Sequence, residues 1–226
     1  MKPFLRKNMI FAIILNIVII ALEIVGLVLS VKRHGAKVFQ FYTENSNYLT
    51  LIVSLFFVFE GFSALKNNRL LSKWTILLRY VANCCLAITL VVVLFILIPL
   101  RPHTLTFMLF KDSNLYQHLL CPIISIFSFL TFENQIKLKK RAILISLLPT
   151  FVYGICLIIL NLLKVVVGPY PFFYVYLLPL HILLLSIVGV LLISIFLSYL
   201  LYRLYNKKIE KSKNSHLKML KSTEFS

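Results

Sequence analysis

Acidic residues are scarce in this sequence. Its 226 residues include 24 Lys and Arg but 7 Asp and Glu, which gives a formal net charge of +17. On a soluble protein this charge would indicate nucleic acid, but the chain lacks zinc-finger spacing and an aromatic-rich basic motif. The basic residues instead stand between and after long apolar runs. We therefore expect anionic lipid headgroups as their partner, and no nucleic acid.

The sequence also lacks a local pattern of metal ligands. All four cysteines lie within apolar runs, where cysteine usually packs as a small apolar side chain: Cys84, Cys85, Cys121 and Cys156. Four histidines are scattered over the apolar runs and the segments between them: His34, His103, His118 and His181. Because neither set has the spacing of a metal site, we expect no metal and no cofactor.

Apolar residues dominate what is present. They make up 60% of the chain, and the mean hydropathy is +0.93. Six apolar runs approach the ~20 residues that a helix needs to cross hydrocarbon. They lie at about Met9–Ser30, Ser46–Leu65, Ile76–Leu100, Tyr116–Phe132, Ala142–Leu163 and Val175–Leu201. The first run is too long for a secretory signal and lacks a clear small-x-small cleavage site, so we interpret it as a membrane helix.

These runs predict an all-α polytopic membrane protein with six transmembrane helices. The predicted transmembrane domain covers residues 1–202, and a basic cytoplasmic tail covers 203–226. A turn signal, Gly168-Pro169-Tyr170-Pro171, separates the last two spans. We find no internal repeat and no soluble domain.

The Lys and Arg residues are distributed unevenly over the predicted loops. Eighteen of the 24 lie in the N-terminal segment, the second and fourth loops and the tail, and six lie in the other loops. Because Lys and Arg accumulate in cytoplasmic loops, we expect both termini in the cytoplasm. The loops at 31–45, 101–115 and 164–174 are then expected on the outer or lumenal side.

A polar stretch stands at the beginning of the second span. Residues Phe41–Leu49 read F-Y-T-E-N-S-N-Y-L, and polar or small residues then recur at helical spacing: Thr43, Asn47, Thr50, Ser54 and Gly61. This spacing places them on one helix face. Lipid cannot satisfy their donors and acceptors, so we predict that this face turns toward protein or a water-filled cavity.

Other polar residues lie within the predicted spans. Glu60 and Arg79 are near the inner ends of adjacent spans, which predicts a structural ion pair between them. Glu23 lies in the outer half of the first span, where it is expected to be paired, protonated or lining water. Asn83 and Asn161 are interpreted as interhelical hydrogen-bonding residues.

One Thr and two His are predicted at similar depth near the outer side. The second and fourth spans both begin there, which places Thr43 level with His118, and His181 lies near the outer end of the sixth span. A Thr hydroxyl with a His within reach is a nucleophile-and-base arrangement. Spacing alone favours another role for Thr43, as N-cap of the second span. The roles are compatible, because the free N–H groups of the first turn would lie beside its hydroxyl and could hold an oxyanion.

Three short motifs occur in the order found in a known family. The run Y-T-E-N-S-N beginning at Tyr42 resembles the aromatic-T-x-x-S-N signature of small bacterial six-span membrane proteins, which are similar to the eukaryotic androgen-induced and androgen-dependent-TFPI-regulating proteins. H-L-L-C-P at His118 resembles that family's H-x-x-x-P, and G-P-Y-P-F-F at Gly168 resembles its Y-P-x-F loop. The resemblance covers about residues 39–176.

The resemblance implies an intramembrane threonine hydrolase in a bacterial cell membrane. The eukaryotic members cleave fatty acid esters of hydroxy fatty acids with a Thr nucleophile and a His, which fall on Thr43 and His118 of this sequence. Around Thr43 the sequence follows the bacterial pattern more closely than the eukaryotic one. The expected partners are membrane lipids and a lipid ester substrate.

The residues leave three functions open. The first is a lipid ester hydrolase with catalytic Thr43 and His118, and four residues that are substrate-binding or oxyanion-stabilising: Ser46, Asn47, His181 and Glu23. The second is a small-solute transporter with the polar stripe along its path, although matching halves with Gly- or Pro-broken spans are not evident. The third is a non-catalytic lipid-binding protein that uses the same cavity.

Overall fold

The computed structural model describes residues 1, 3–100 and 104–223, with side chains for these except at 171 and 212–223. All regular secondary structure within this part of the chain is helical. Six of its helices are long and apolar enough to cross a membrane. They are α1 (Pro3–His34), α2 (Tyr42–Lys66), α3 (Lys73–Leu100), α4 (Leu115–Phe132), α5 (Arg141–Leu162) and α6 (Leu180–Thr223). The prediction of six candidate membrane spans is therefore confirmed.

The connecting segments contain short helical turns. A 3-10 helix, Gly35–Gln40, joins α1 to α2, and a short helix, Leu105–Phe110, stands between α3 and α4. Wider π-helical turns occur within α3 at Val93–Leu97 and at the beginning of α4, Leu115–Leu120. Turns of this type are frequent at functional sites.

The sixth helix differs most from its predicted bounds. It begins at Leu180, because residues 174–179 form turns that end with Pro179. It continues to Thr223, past the predicted boundary at 202/203. No Gly or Pro follows Gly189, and Lys, Leu and Glu are good helix formers, so nothing in the sequence ends the helix at the lipid boundary.

The two ends of the bundle can be distinguished by their contacts. At the basal end, the Met1 ammonium donates to the carbonyl oxygen of Asn68 at 3.2 Å, and Asn206 pairs with the backbone of Leu138 at 2.9 and 3.1 Å. This end gathers the N-terminal segment and the segments 67–72 and 133–140. At the apical end, Tyr153 donates to the carbonyl oxygen of Gln40 at 2.6 Å. The basic segments thus share the basal end.

Helix α3 lies at the centre of the bundle. It packs against α2, α4, α5 and α6, while α1 packs on α2 and α4. In the most apolar stretch of α3 61% of the residues are buried, against 17% in α5 and 11% in α6. Helices α5 and α6 therefore present most of their surface outward, and α3 supplies the walls of any interior site.

The predicted ion pair between Glu60 and Arg79 is wrong. Arg79 pairs with Glu133 at the end of α4, with Nη2 at 2.9 Å from Oε1 and Nε at 3.0 Å from Oε2. Glu60 instead accepts from Arg69 at 3.0 Å and from the backbone N–H of Ser72 at 2.7 Å. Glu60 faces the short α2–α3 connection, whose free amide lies within its reach, whereas Arg79 is two turns into α3 and faces the interior.

The predicted interhelical roles of Asn83 and Asn161 are also wrong. Asn83 donates to the carbonyl oxygen of Arg79 at 2.7 Å, and Asn161 donates to that of Leu157 at 2.9 Å. Both acceptors lie four residues earlier on the same helix. These two buried Asn side chains donate to backbone carbonyl oxygens of their own helix. Short polar side chains often compete in this way with the backbone N–H groups for the same carbonyls.

Candidate functional site

The polar stripe of α2 faces the interior, as its spacing predicts. Thr43 is 8% exposed, and Asn47, Thr50 and Ser54 are fully buried. Gly61 completes the stripe at the basal end, where a Cβ would lie 2.8 Å from a side-chain carbon of Ile13. The glycine thus allows α1 and α2 to approach closely.

The N-cap role expected for Thr43 is wrong. Helix α2 begins at Tyr42, and its N-cap position is Phe41, which provides no side-chain hydrogen bond. The free backbone N–H of Tyr42 finds its acceptor in another part of the chain, because it donates to the Tyr170 hydroxyl at 3.0 Å. Thr43 lies inside the first turn, so its hydroxyl is not engaged in capping its own helix.

Tyr170 brings the loop between α5 and α6 onto the start of α2. Its hydroxyl lies beside Thr43, and both residues line the same cavity. Burial raises the pKa of Tyr170, so this hydroxyl remains protonated and can donate as well as accept. Its ring stacks on Phe172, with centroids 5.4 Å apart. Two of the three sequence motifs therefore meet around Thr43.

A small cavity of about 50 Å³ opens beside this junction. Thr43 forms part of its wall, and the remaining lining comes from α2, α3, α5, α6 and the loop that carries Tyr170. The hydroxyl-bearing lining residues are Tyr42, Thr43, Thr89, Thr150, Tyr153 and Tyr170. Aliphatic and phenyl side chains form the rest. Its lining chemistry suits a mostly apolar group with a few hydrogen-bonding atoms.

Several hydroxyl groups in and behind the cavity wall are hydrogen-bonded in pairs. Tyr42 and Thr150 share a bond of 2.7 Å between α2 and α5. Ser46, predicted as a binding residue, is buried behind the wall and pairs with Thr89 at 2.9 Å. Ser46 also donates to the carbonyl oxygen of Thr43 at 2.8 Å. These bonds hold the first turn of α2 against α3 and α5.

His118 is held in one orientation by the backbone. Its Nδ1 lies 2.6 Å from the carbonyl oxygen of Met108, in the short helix before α4. A carbonyl oxygen only accepts, so Nδ1 carries the proton and the lone pair of the neutral ring is on Nε2. The side chain is 8% exposed. This is the tautomer that a base acting through Nε2 requires.

No direct hydrogen bond joins Thr43 to His118 in this structure, where both residues are described. The Thr43 hydroxyl faces Tyr170, and the cavity wall does not include His118. Asn47 connects the two regions, since its Nδ2 donates to the carbonyl oxygen of Thr43 at 2.7 Å and to that of Gln117 at 3.2 Å. Asn47, a predicted site residue, therefore ties the start of α2 to the turn that carries His118.

The other predicted site residues lie apart from the cavity. Glu23 is 2% exposed and has one carboxyl oxygen without a hydrogen-bond partner among the described atoms. Its thiol neighbour is Cys121 of α4. His181 is exposed on the first turn of α6 and is not part of the cavity lining. His103 lies outside the described residues.

Two polar residues near the site were not anticipated from the sequence. Glu44 accepts from Ser30 of α1 and from Gln117 Nε2, the latter at 2.5 Å. Tyr170 belongs to a turn motif that gave no indication of a contact with Thr43. A signal for Glu44 was present, because an acidic residue within the polar stretch needs a buried partner. No signal in the sequence paired it with Gln117.

No family model, curated protein or solved structure matches this chain. The class of protein is therefore defined by the fold itself, a helical bundle with six candidate membrane spans and an apical cavity.

Proposed function

We propose that the protein is a membrane-embedded hydrolase of lipid esters in which Thr43 is the nucleophile and His118 the base. The observation that carries the proposal is the position of Thr43 in the wall of a largely apolar cavity, beside hydroxyl groups and the first turn of a helix. Such a cavity suits an acyl chain with an ester at one end. The positive-inside rule then places this end of the bundle on the outer side of the membrane.

The proposed chemistry proceeds through an acyl-threonine. Thr43 Oγ1 forms a bond to the ester carbonyl carbon while its proton passes, through one water, to His118 Nε2. The C–O bond of the ester breaks, and the alcohol leaves with the proton from His118. Water then adds to the acyl-threonine with the same base and releases the carboxylic acid. The Tyr170 hydroxyl, which accepts from the Tyr42 N–H, is the donor available to the oxyanion.

A specific observation favours non-catalytic lipid binding as the second candidate. No hydrogen bond joins Thr43 to His118 among the described residues, and His118 Nδ1 is engaged by the Met108 carbonyl. In that case the cavity would hold an amphiphile without cleaving it. A transporter finds less support, because the fully buried Arg79, Phe57 and Phe129 fill the bundle on the basal side.

Covalent capture distinguishes the two candidates. A fluorophosphonate with an alkyl chain should label the purified protein at Thr43, as located by peptide mass spectrometry. Labelling should fall at least about a thousandfold in Thr43→Ala and should persist in Thr150→Ala, a control Thr in the same wall. Unlabelled wild-type protein that still binds the alkyl chain would exclude the hydrolase and leave the binding function.

The proposed orientation and location have separate tests. Reporter fusions after Lys37 and after Lys221 should report opposite sides of a bacterial cell membrane, and equal signals would contradict the predicted topology. A peptide of the basic tail, 203–226, should bind anionic vesicles more tightly than neutral ones, by about 1 kcal/mol per Lys or Arg near the surface. Equal binding would exclude the anionic headgroups as its partner.

A further inference from the structure

Helices α5 and α6 run antiparallel with a register that can be read from one contact. The Ser146 hydroxyl donates to the Ser198 hydroxyl at 3.0 Å. Moving eight residues along each helix from this contact places Gly154 of α5 opposite Val190 of α6. Both residues belong to the cavity lining. The two helices therefore meet the cavity at one common level.

The helix pair is open at that level. A Cβ built on Gly154 meets no heavy atom within 4 Å, whereas one built on Gly61 would lie 2.8 Å from Ile13. Gly61 is thus small because a neighbouring helix is close, and Gly154 is small without any such neighbour. Gly189 of α6 also has no such neighbour, but Gly154 is the one of the two that lines the cavity, so the open space beside Gly154 adjoins the cavity.

The surroundings of this gap are the lipid-facing sides of α5 and α6. Neighbouring side chains are apolar and exposed: Phe151 at 52%, Ile155 at 42%, Val188 at 49% and Leu192 at 61%. On the apical side the cavity is instead covered by Tyr170, Phe172 and Phe173 of the α5–α6 loop. The open side of the cavity therefore faces hydrocarbon, and the covered side faces the apical surface.

We propose that the gap at Gly154 and Val190 is a lateral portal through which the acyl chain of a single-chain membrane amphiphile enters the cavity. The described lining contains no charged side chain, so an acyl chain is stable there and a charged solute is not. The hydroxyls of Thr43 and Tyr170 lie at the apical end of the cavity and receive the polar end of the amphiphile. The proposal rests on the proposed function for the chemistry at Thr43 but not for occupancy of the cavity.

Photo-crosslinking tests occupancy without requiring hydrolysis. The probe is palmitic acid with a diazirine in mid-chain, added to the full-length protein in phosphatidylcholine vesicles. Light should label cavity residues such as Tyr153 and Phe173, as located by peptide mass spectrometry. Gly154→Leu fills the portal and should lower this labelling about tenfold. Gly189→Leu is the control: it adds the same volume next to Val190 but outside the cavity lining. Its photo-labelling of cavity residues should be close to that of wild type.

A second pair of variants approaches the portal from α6. Val190→Phe should lower cavity labelling as Gly154→Leu does, and Leu185→Phe, on an exposed side chain of the same helix away from the cavity lining, should not. Retained capture of a small, water-soluble fluorophosphonate, or an unchanged melting temperature in detergent, would show that the variants are folded. Wild-type labelling in both portal variants would overturn the proposal, as would equal losses in the portal variants and their controls.

The design separates the portal from the catalytic proposal. Thr43→Ala should lose fluorophosphonate capture but retain photo-labelling of the cavity. If wild-type protein fails to capture any fluorophosphonate but shows the portal-dependent photo-labelling, the portal stands and the hydrolase does not. If fluorophosphonate capture succeeds but photo-labelling is the same in the portal variants as in wild type, the lipid reaches Thr43 by another route. The portal proposal is then wrong.

Discussion

The bundle contains two polar regions, and they are built differently. In the basal half, each nitrogen of the Arg79 guanidinium donates a hydrogen bond, two to Glu133 and one to Ser54, and the ion pair is inaccessible to solvent. In the apical half, hydroxyls line a small open cavity. Both regions cost free energy to place in a membrane interior. The hydrogen bonds and close packing around the Arg79–Glu133 pair offset this cost, whereas the apical hydroxyls still border space for a ligand.

The difference separates stability from function. An ion pair that is fully closed off from solvent leaves no room for a ligand, so its role is to join helices. Asn16 of α1 and Ser128 of α4 also donate to Glu133, at 3.1 and 2.8 Å. The pair thereby connects α1, α2, α3 and α4. The Thr43 region also joins several elements, but it retains open space beside its hydroxyls and is accordingly the candidate site.

The largest effect is expected from breaking the basal ion pair. Glu133→Ala leaves the Arg79 guanidinium buried without its partner, and such a loss costs about 3–5 kcal/mol. Unfolding of the purified protein in mixed micelles by detergent or heat would measure it. Exchanging both members, Arg79→Met with Glu133→Leu, should recover much of the loss, because an apolar pair carries no desolvation penalty. Equal stability of Glu133→Ala and wild type would show that the pair is not structural.

The second effect concerns His118 and should appear in capture, not in stability. His118→Asn keeps a donor that can reach the Met108 carbonyl but removes the basic Nε2, so the fold should be retained. Fluorophosphonate capture at Thr43 should slow by about 10²–10⁴-fold, the usual contribution of a general base. His181→Asn is the matched control, since His181 is exposed on α6 outside the cavity. Normal capture in His118→Asn would remove His118 from the proposed mechanism.

The third effect tests whether Tyr170 is part of the site. Tyr170→Phe keeps the ring stacked on Phe172 but removes the oxygen that accepts from the Tyr42 N–H. We expect capture to slow by about tenfold to a hundredfold, because one oxyanion donor is lost. Tyr153→Phe removes a cavity hydroxyl whose hydrogen bond goes to the carbonyl oxygen of Gln40, so it should have the smaller effect. Faster capture in Tyr170→Phe would instead identify its hydroxyl as an inhibitor of the site.

The sequence predicts the local features of the molecule better than its pairings. Apolar run length defines the six spans, and helical spacing places Thr43, Asn47, Thr50 and Ser54 on an inward face. Which residue meets which across the bundle depends on helix rotation and depth, which composition does not encode. The sequence pairs Arg79 with Glu60, the nearest acidic residue along the chain. In the structure, the packing of α3 on α4 brings Arg79 to Glu133 instead. Tyr170 lies beside Thr43 although the two are 127 positions apart in the sequence. This contact depends on the path of the α5–α6 loop, which the local sequence does not define.

The smallest effect is expected at Glu60, the residue that the sequence associated with Arg79. Its ion pair with Arg69 lies at the periphery, where the Arg69 side chain is 44% exposed, so solvent screens the attraction. Glu60 also accepts from the Ser72 N–H at 2.7 Å, and this bond holds the beginning of α3. Glu60→Gln retains a neutral acceptor for that bond, so we expect a loss of about 1 kcal/mol or less in the same unfolding measurement. If Glu60→Gln lowers the free energy of unfolding as much as Glu133→Ala does, the two acidic residues contribute equally to stability. Burial would then not explain why one ion pair is structural and the other peripheral.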